Sequence, residues 1–81
     1  MSKILKLEKY NCPTCVKVSN YLNDKGVTFE AVNVEDNPEI AAQYGVMGVP
    51  VTIILDDDGN EIQRSVGFKV EELEEIISKL K

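Results

Sequence analysis

Histidine and tryptophan are absent from this 81-residue chain, and cysteine occurs only twice. With no imidazole and two thiols, the concentrated chemical potential is confined to one Cys-x-x-Cys pair, Cys12-Pro13-Thr14-Cys15. Long apolar runs are missing too. Nowhere do eighteen apolar residues stand together, and the first six residues lack the apolar stretch of a secretory signal, so no membrane span is expected and the cytoplasm is the expected compartment. Positive charge is in deficit: 9 Lys and Arg against 14 Asp and Glu give a net charge of −5, which argues against nucleic acid or an anionic membrane surface as partner. What remains, 43% apolar and 28% charged residues, is ordinary for a globular protein. The length is that of one domain, 1–81, with room for one small core.

A cysteine pair in a reducing compartment is more often catalytic or metal-binding than a structural staple. As a staple it would contribute little, about 2 kcal/mol by chain entropy for so short a loop. Zinc or an iron–sulfur cluster is the competing reading, because Cys-x-x-Cys is also common metal-ligand spacing. A closed zinc site needs four ligands, and the chain offers two sulfurs; a dimer, nearby carboxylates or an external thiol would have to complete it. The cysteine arithmetic favours a redox pair. A strand-like run, Ile4-Leu5-Lys6-Leu7, leads into the pair, and a helix-like run over 13–25 leads away. Cys12 at the mouth of that helix is the expected nucleophile, since unpaired N–H groups and the positive helix end favour its thiolate. Cys15, one turn in and directed at the sheet, is the expected buried resolving thiol.

Turn signals cut the chain into seven elements in the order βαβαββα. Strands are expected at Lys3–Glu8, at 28–34, at the continuous apolar run Val51–Leu55, and at Glu61–Val66, with Ile62 and Val66 as the last strand's apolar contributions. The first helix opens with Pro13 at a position where its missing N–H costs nothing and presents Cys15, Val18 and Leu22 inward, with Tyr21 beside them. Asn37 is a good N-cap for a short second helix that ends at Gly45. Leu73, Ile76, Ile77 and Leu80 make one stripe on the last helix, with glutamates near its start and Lys79 and Lys81 near its end, as the helix dipole prefers. The run Asp56-Asp57-Asp58-Gly59 lacks the spacing of a calcium-binding EF-hand loop and reads as a solvated hairpin turn. The order implies an α/β fold: a mixed four-stranded sheet with helices on both faces.

Cys12-Pro13-Thr14-Cys15 after the first strand, Val49-Pro50 before the third and Gly67-Phe68 after the fourth together resemble the thioredoxin and glutaredoxin superfamily over the whole chain. The size and the Cys-Pro-x-Cys form look like glutaredoxins and small glutaredoxin-like redoxins. The stretch Tyr44-Gly45-Val46-Met47-Gly48-Val49-Pro50 and the Asp-rich hairpin look like thioredoxins. The resemblance implies a thioredoxin-like fold and a cis Val49-Pro50 bond beside the cysteines. It also implies a substrate groove lined by Val49, Pro50, Gly67, Pro13 and Thr14. Gly67 there permits close approach or an unusual backbone angle, and Lys9 matches a glutaredoxin lysine that contacts glutathione and favours the thiolate.

Two departures are visible. Val66-Gly67-Phe68-Lys69 stands where glutathione-binding members carry Gly-Gly followed by an acid. Lys6 and Asn11 stand where thioredoxins carry a buried acid and a tryptophan, so proton transfer at Cys15 must use water or another group such as Glu8. The resemblance therefore implies a monomeric dithiol oxidoreductase that needs no metal or bound cofactor. Its electrons would come from a flavin-dependent thioredoxin reductase using NADPH, and its clients would be disulfide proteins such as ribonucleotide reductase, a peroxidase or a sulfur-assimilation reductase. A glutathione-reduced glutaredoxin is the alternative within the enzyme class, and a zinc or iron–sulfur module shared between two copies is the alternative outside it.

Overall fold

Period-two alternation in the strands decides which way each side chain faces, and the computed structural model, which describes residues 2–80, builds both sheet faces from it. The elements are β1 (Lys3–Glu8), α1 (Pro13–Asp24), β2 (Phe29–Asn33), α2 (Pro38–Tyr44), β3 (Val51–Leu55), β4 (Glu61–Val66) and α3 (Val70–Ser78). The sheet order is β2-β1-β3-β4. β1 runs parallel to β2 through the α1 crossover and antiparallel to β3, and β3 is antiparallel to β4 with a bulge between Ile54 and Leu55. All five residues of β3 are buried, which explains its unbroken apolar run: it is a central strand covered on both sides.

One face, under α1 and α3, packs Ile4, Ile54, Val18, Leu22, Leu73 and Ile76. The opposite face, under α2, packs Leu5, Leu7, Val51, Ile53 and Leu55 against partly buried Val32, Ile40, Tyr44 and Val49. Buried aliphatic side chains of this size each stabilise by about 1.5–3 kcal/mol, so both layers are needed in a chain this short. No helix of the described residues is long and apolar enough to cross a membrane.

The expected elements form with small shifts. α1 ends at Asp24 with Lys25 as C-cap, and Gly26 follows at φ +71°. β2 is shorter than 28–34 by a residue at each end. Three expectations are corrected. Ile62 and Val66 do not feed the core: both are exposed, and the buried residue of β4 is Ser65. β4 is an edge strand whose hairpin carries a bulge, so its inward positions differ from those its apolar residues suggest. Asn37 sits at the N-cap position of α2 without a side-chain capping bond, because its amide instead donates to the Asn33 carbonyl at 3.0 Å. In the stripe of α3, Leu73 and Ile76 are buried and Ile77 and Leu80 are partly buried, with Leu80 beyond the helix end; Lys81 lies outside the described residues. The Asp56 carboxylate accepts N–H bonds from Asp58 and Asn60, both at 2.9 Å, and so organises the expected turn.

Candidate redox site at the mouth of the first helix

β1 delivers the chain to the C-terminal end of a central strand at Glu8, and the turn residue Asn11 takes φ +54°, a left-handed conformation that asparagine tolerates. That turn sets Cys12 in extended geometry as N-cap of α1, with Pro13 at the first helical position. The Cys12 Sγ accepts the Cys15 backbone N–H at 3.1 Å, so sulfur takes the place that serine or aspartate usually fills at a helix start. Cys12 and Cys15 are joined as a disulfide, with Cα atoms 5.2 Å apart. The two sulfurs are not equivalent. Cys15 is 3% exposed, whereas Cys12 is half-buried and flanked by exposed Asn11 and Pro13.

An open cavity of about 730 Å³ borders the disulfide, lined among others by Lys6, Glu8, Lys9, Cys12, Pro13 and Cys15. Across its rim Tyr10 ties the β1–α1 turn to the β2–α2 loop: its N–H donates to Glu35 and its hydroxyl to Asp36, at 2.8 and 2.6 Å. The hydrogen bond to Asp36 and that carboxylate's charge hold the Tyr10 phenol above its ordinary pKa, so the latch stays neutral and donating. Thr14 is exposed beside Pro13 on the first turn of α1.

The Val49-Pro50 peptide bond is cis. Pro50 itself is buried, and its carbonyl accepts the Gly67 N–H at 2.8 Å, which joins the segment before β3 to the one after β4. Gly67 has φ +86° and open space where a Cβ would stand. The backbone angle, then, and not close approach, is what glycine supplies there. Phe68 packs edge-to-face on Tyr21 of α1, ring centres 6.1 Å apart. Val49 is half-buried and borders a second, smaller cavity with Met47 and Gly48. Lys9 lines both cavities and is the residue that links the disulfide side of the site to the loop before Pro50.

Below the pair lie Lys6 and Glu8, both visible in the sequence, joined in a way that the sequence does not show. Lys6 is 1% exposed under α1, its Nζ donating to Glu8 and to Ser19 Oγ, each at 2.5 Å. The signal was a lysine inside the run Ile4 to Leu7, in a strand whose neighbours are all buried. Among the described residues no three His, Cys, Asp or Glu side chains group as metal ligands would.

The family model for glutaredoxin matches residues 4–60, a span that contains β1 from its second residue, the cysteine pair and β3. The chain belongs to the thioredoxin/glutaredoxin superfamily. Among curated relatives, it is 53% identical to the SPbeta prophage-derived thioredoxin-like protein YosR of Bacillus subtilis, over 98% of this chain and 99% of that one. It is 35% identical to the thioredoxin of the same organism, over 88% of this chain and 67% of that one. Among solved structures, the thioredoxin NaTrxh from Nicotiana alata superposes with a TM-score of 0.85 at 26% identity, over 96% of this chain and 71% of that one. This superfamily member has the thioredoxin fold and is a dithiol–disulfide oxidoreductase.

Proposed function

We propose that Cys12 is the attacking sulfur and Cys15 the resolving one, in a single-domain protein that reduces client disulfides in the cytoplasm and is itself reduced by a thioredoxin reductase. The observation that carries this reading is the unequal placement of the two sulfurs. Cys12 stands at the helix mouth, where the Cys15 N–H points at its Sγ, and Cys15 is buried behind it. A thiolate at Cys12 is stabilised by that N–H and by the positive helix end. It attacks a client disulfide and forms a mixed disulfide; Cys15 then attacks Cys12, and the client leaves with its electron pair as a thiolate.

A thiolate stabilised in this way is also a good leaving group when the Cys12–Cys15 bond closes, which speeds release of the client. Val49, the Gly67-linked segment and exposed Pro13 and Thr14 form the walls against which a client peptide is held, and exposed Met47 adds an apolar contact. Disulfide-containing proteins are the client class; ribonucleotide reductase and a peroxidase are two candidates.

Lys9 supports a second reading, a glutaredoxin reduced by glutathione, because it is an exposed cation that borders the disulfide cavity and could pair with the tripeptide's carboxylates. Against it, Gly67-Phe68-Lys69 offers an aromatic and a cation where a Gly-Gly-acid segment would hold the rest of glutathione. Turnover of a disulfide substrate coupled to NADPH, with thioredoxin reductase in one arm and glutathione plus glutathione reductase in the other, decides between them. The expected result is faster turnover with thioredoxin reductase. Glutathione faster by tenfold, about 1.4 kcal/mol in the barrier, would reassign the electron donor.

A further inference from the structure

The buried side chains with polar groups, Lys6, Thr52 and Ser65, occupy one row of the sheet. Lys6 pairs in register with Thr52, and Thr52 with Ser65, so all three project to the same side, under α1 and α3. Interior strand positions of this kind are ordinarily apolar, and a charge buried there costs several kcal/mol unless something answers it. Glu8 and Ser19 take two of the three N–H donors of Lys6, leaving one among the described residues. Ser19 is four residues after Cys15 and so lies on the same side of α1, one turn away, with Cβ atoms about 5–6 Å apart. Lys6, Glu8, Ser19 and both cysteines line the same cavity.

We propose that Lys6 is the counter-charge for the Cys15 thiolate, positioned by Glu8 and Ser19, and that the balance between Lys6 and Glu8 sets the potential of the Cys12–Cys15 couple. The proposal rests on the dithiol reading above. When a reductant thiolate attacks Cys12 Sγ, the Cys12–Cys15 bond breaks and its electron pair stays on Cys15 Sγ. That leaves an anion at a 3% exposed site, a costly state unless a cation stands nearby. No proton moves in that step; the thiolate forms near the Lys6 ammonium and is held beside it as an ion pair in the reduced protein, so the stability of that anion enters the equilibrium of the couple. Glu8, on the same strand, partly neutralises the ammonium. The other titratable groups around the cavity are Lys9 and Tyr10 of the β1–α1 turn and Cys12; β2 contributes the uncharged Asn33, and α1 contributes Ser19. On α3, Glu72 is engaged with Ser65 at 2.7 Å, at the far end of the row.

The test uses two variants with opposite predicted signs. Lys6→Met keeps an unbranched stem in the core and removes the charge; Glu8→Gln keeps the shape and releases the ammonium. Equilibrium with a glutathione or dithiothreitol redox buffer gives the constant for each, and thiolate absorbance in a Cys12→Ser background gives the ionisation of Cys15. Lys6→Met is expected to favour the disulfide by about tenfold, a fall of about 30 mV, and to move Cys15 ionisation to higher pH. Glu8→Gln is expected to favour the dithiol, and to move Cys15 ionisation to lower pH. Constants within twofold of the parent for both, or shifts of the same sign, would overturn the proposal, since a merely structural role predicts no opposed pair. If Lys6→Met does not fold, Glu8→Gln alone decides: a shift toward the dithiol supports the proposal and any other result refutes it. Absence of a reversible couple in the parent protein would instead refute the dithiol reading itself.

Discussion

The two faces of the sheet are made from the same four strands and differ in one row. Under α2, the inward side chains of β1 and β3 are Leu5, Leu7, Val51, Ile53 and Leu55, all apolar. The polar residue of β4 in line with them, Arg64, is half-buried at the rim. It donates to the Tyr44 carbonyl at 2.8 Å and pairs with Glu61. Under α1 and α3, Ile4 and Ile54 are followed by Lys6, Thr52 and Ser65, and the Lys6 end of that polar row lines the disulfide cavity. Both faces hold the domain together, but the second gives up part of its apolar area to Lys6, Thr52 and Ser65. Local departures from the rule of an apolar interior concentrate where proteins do chemistry.

Substitutions that attack one face at a time sharpen the contrast. The largest effect is expected from Leu7→Ala on the α2 side. A fully buried leucine truncated to alanine destabilises by about 2–5 kcal/mol, and denaturant unfolding should show this while the potential of the folded protein stays unchanged. A change in potential as large as that of Lys6→Met would mean that the two faces are not separable. On the other side, Thr52 carries a buried hydroxyl with no hydrogen-bond partner. Thr52→Val replaces it with a methyl of similar shape and is expected to stabilise by about 1 kcal/mol, because an unsatisfied buried polar group costs about 1–3 kcal/mol. Destabilisation instead would show that the hydroxyl is satisfied in solution and that the row is a connected network.

The smallest effect belongs to the rim of the α2 side. The hydrogen bond from Arg64 holds the Glu61 carboxyl below its ordinary pKa, and the same bond raises that of Arg64. A carboxylate whose folded pKa is depressed contributes stability above its unfolded value, and that contribution disappears as pH falls through the folded value. Glu61→Gln should therefore cost about 0.2–1 kcal/mol at neutral pH, the range for exposed pairs, and the difference from the parent should vanish in acid. A difference that persists below the carboxylate range would assign the effect to packing.

Periodicity and turn chemistry made most of this fold legible. The unbroken run Val51–Leu55, Pro13 at the start of α1 and glycines 26 and 45 at helix ends each act locally, so sequence reports them directly. β4 was harder. Its bulge and edge position decide which residues point inward, and neither is written in its apolar pattern, so Ser65 is buried while Ile62 is not. At the site, the cysteine pair was legible from its spacing, and the helix-mouth geometry from the strand-like run before it and the helix-like run that opens at Pro13. The resemblance marked Lys6 as standing where thioredoxins carry a buried acid, but its partners were not legible, because a strand lysine is ordinarily solvated and only the tertiary docking of α1 brings Ser19 over it.

The division of labour between the two sulfurs is most directly tested by trapping. Each single variant, Cys12→Ser and Cys15→Ser, is incubated with a disulfide substrate and the adduct mapped by mass spectrometry. A stable mixed disulfide is expected on Cys12 in Cys15→Ser and little or none on Cys15 in Cys12→Ser, because Cys15 is buried behind the helix mouth. An adduct that accumulates on Cys15 at the greater rate would contradict that division.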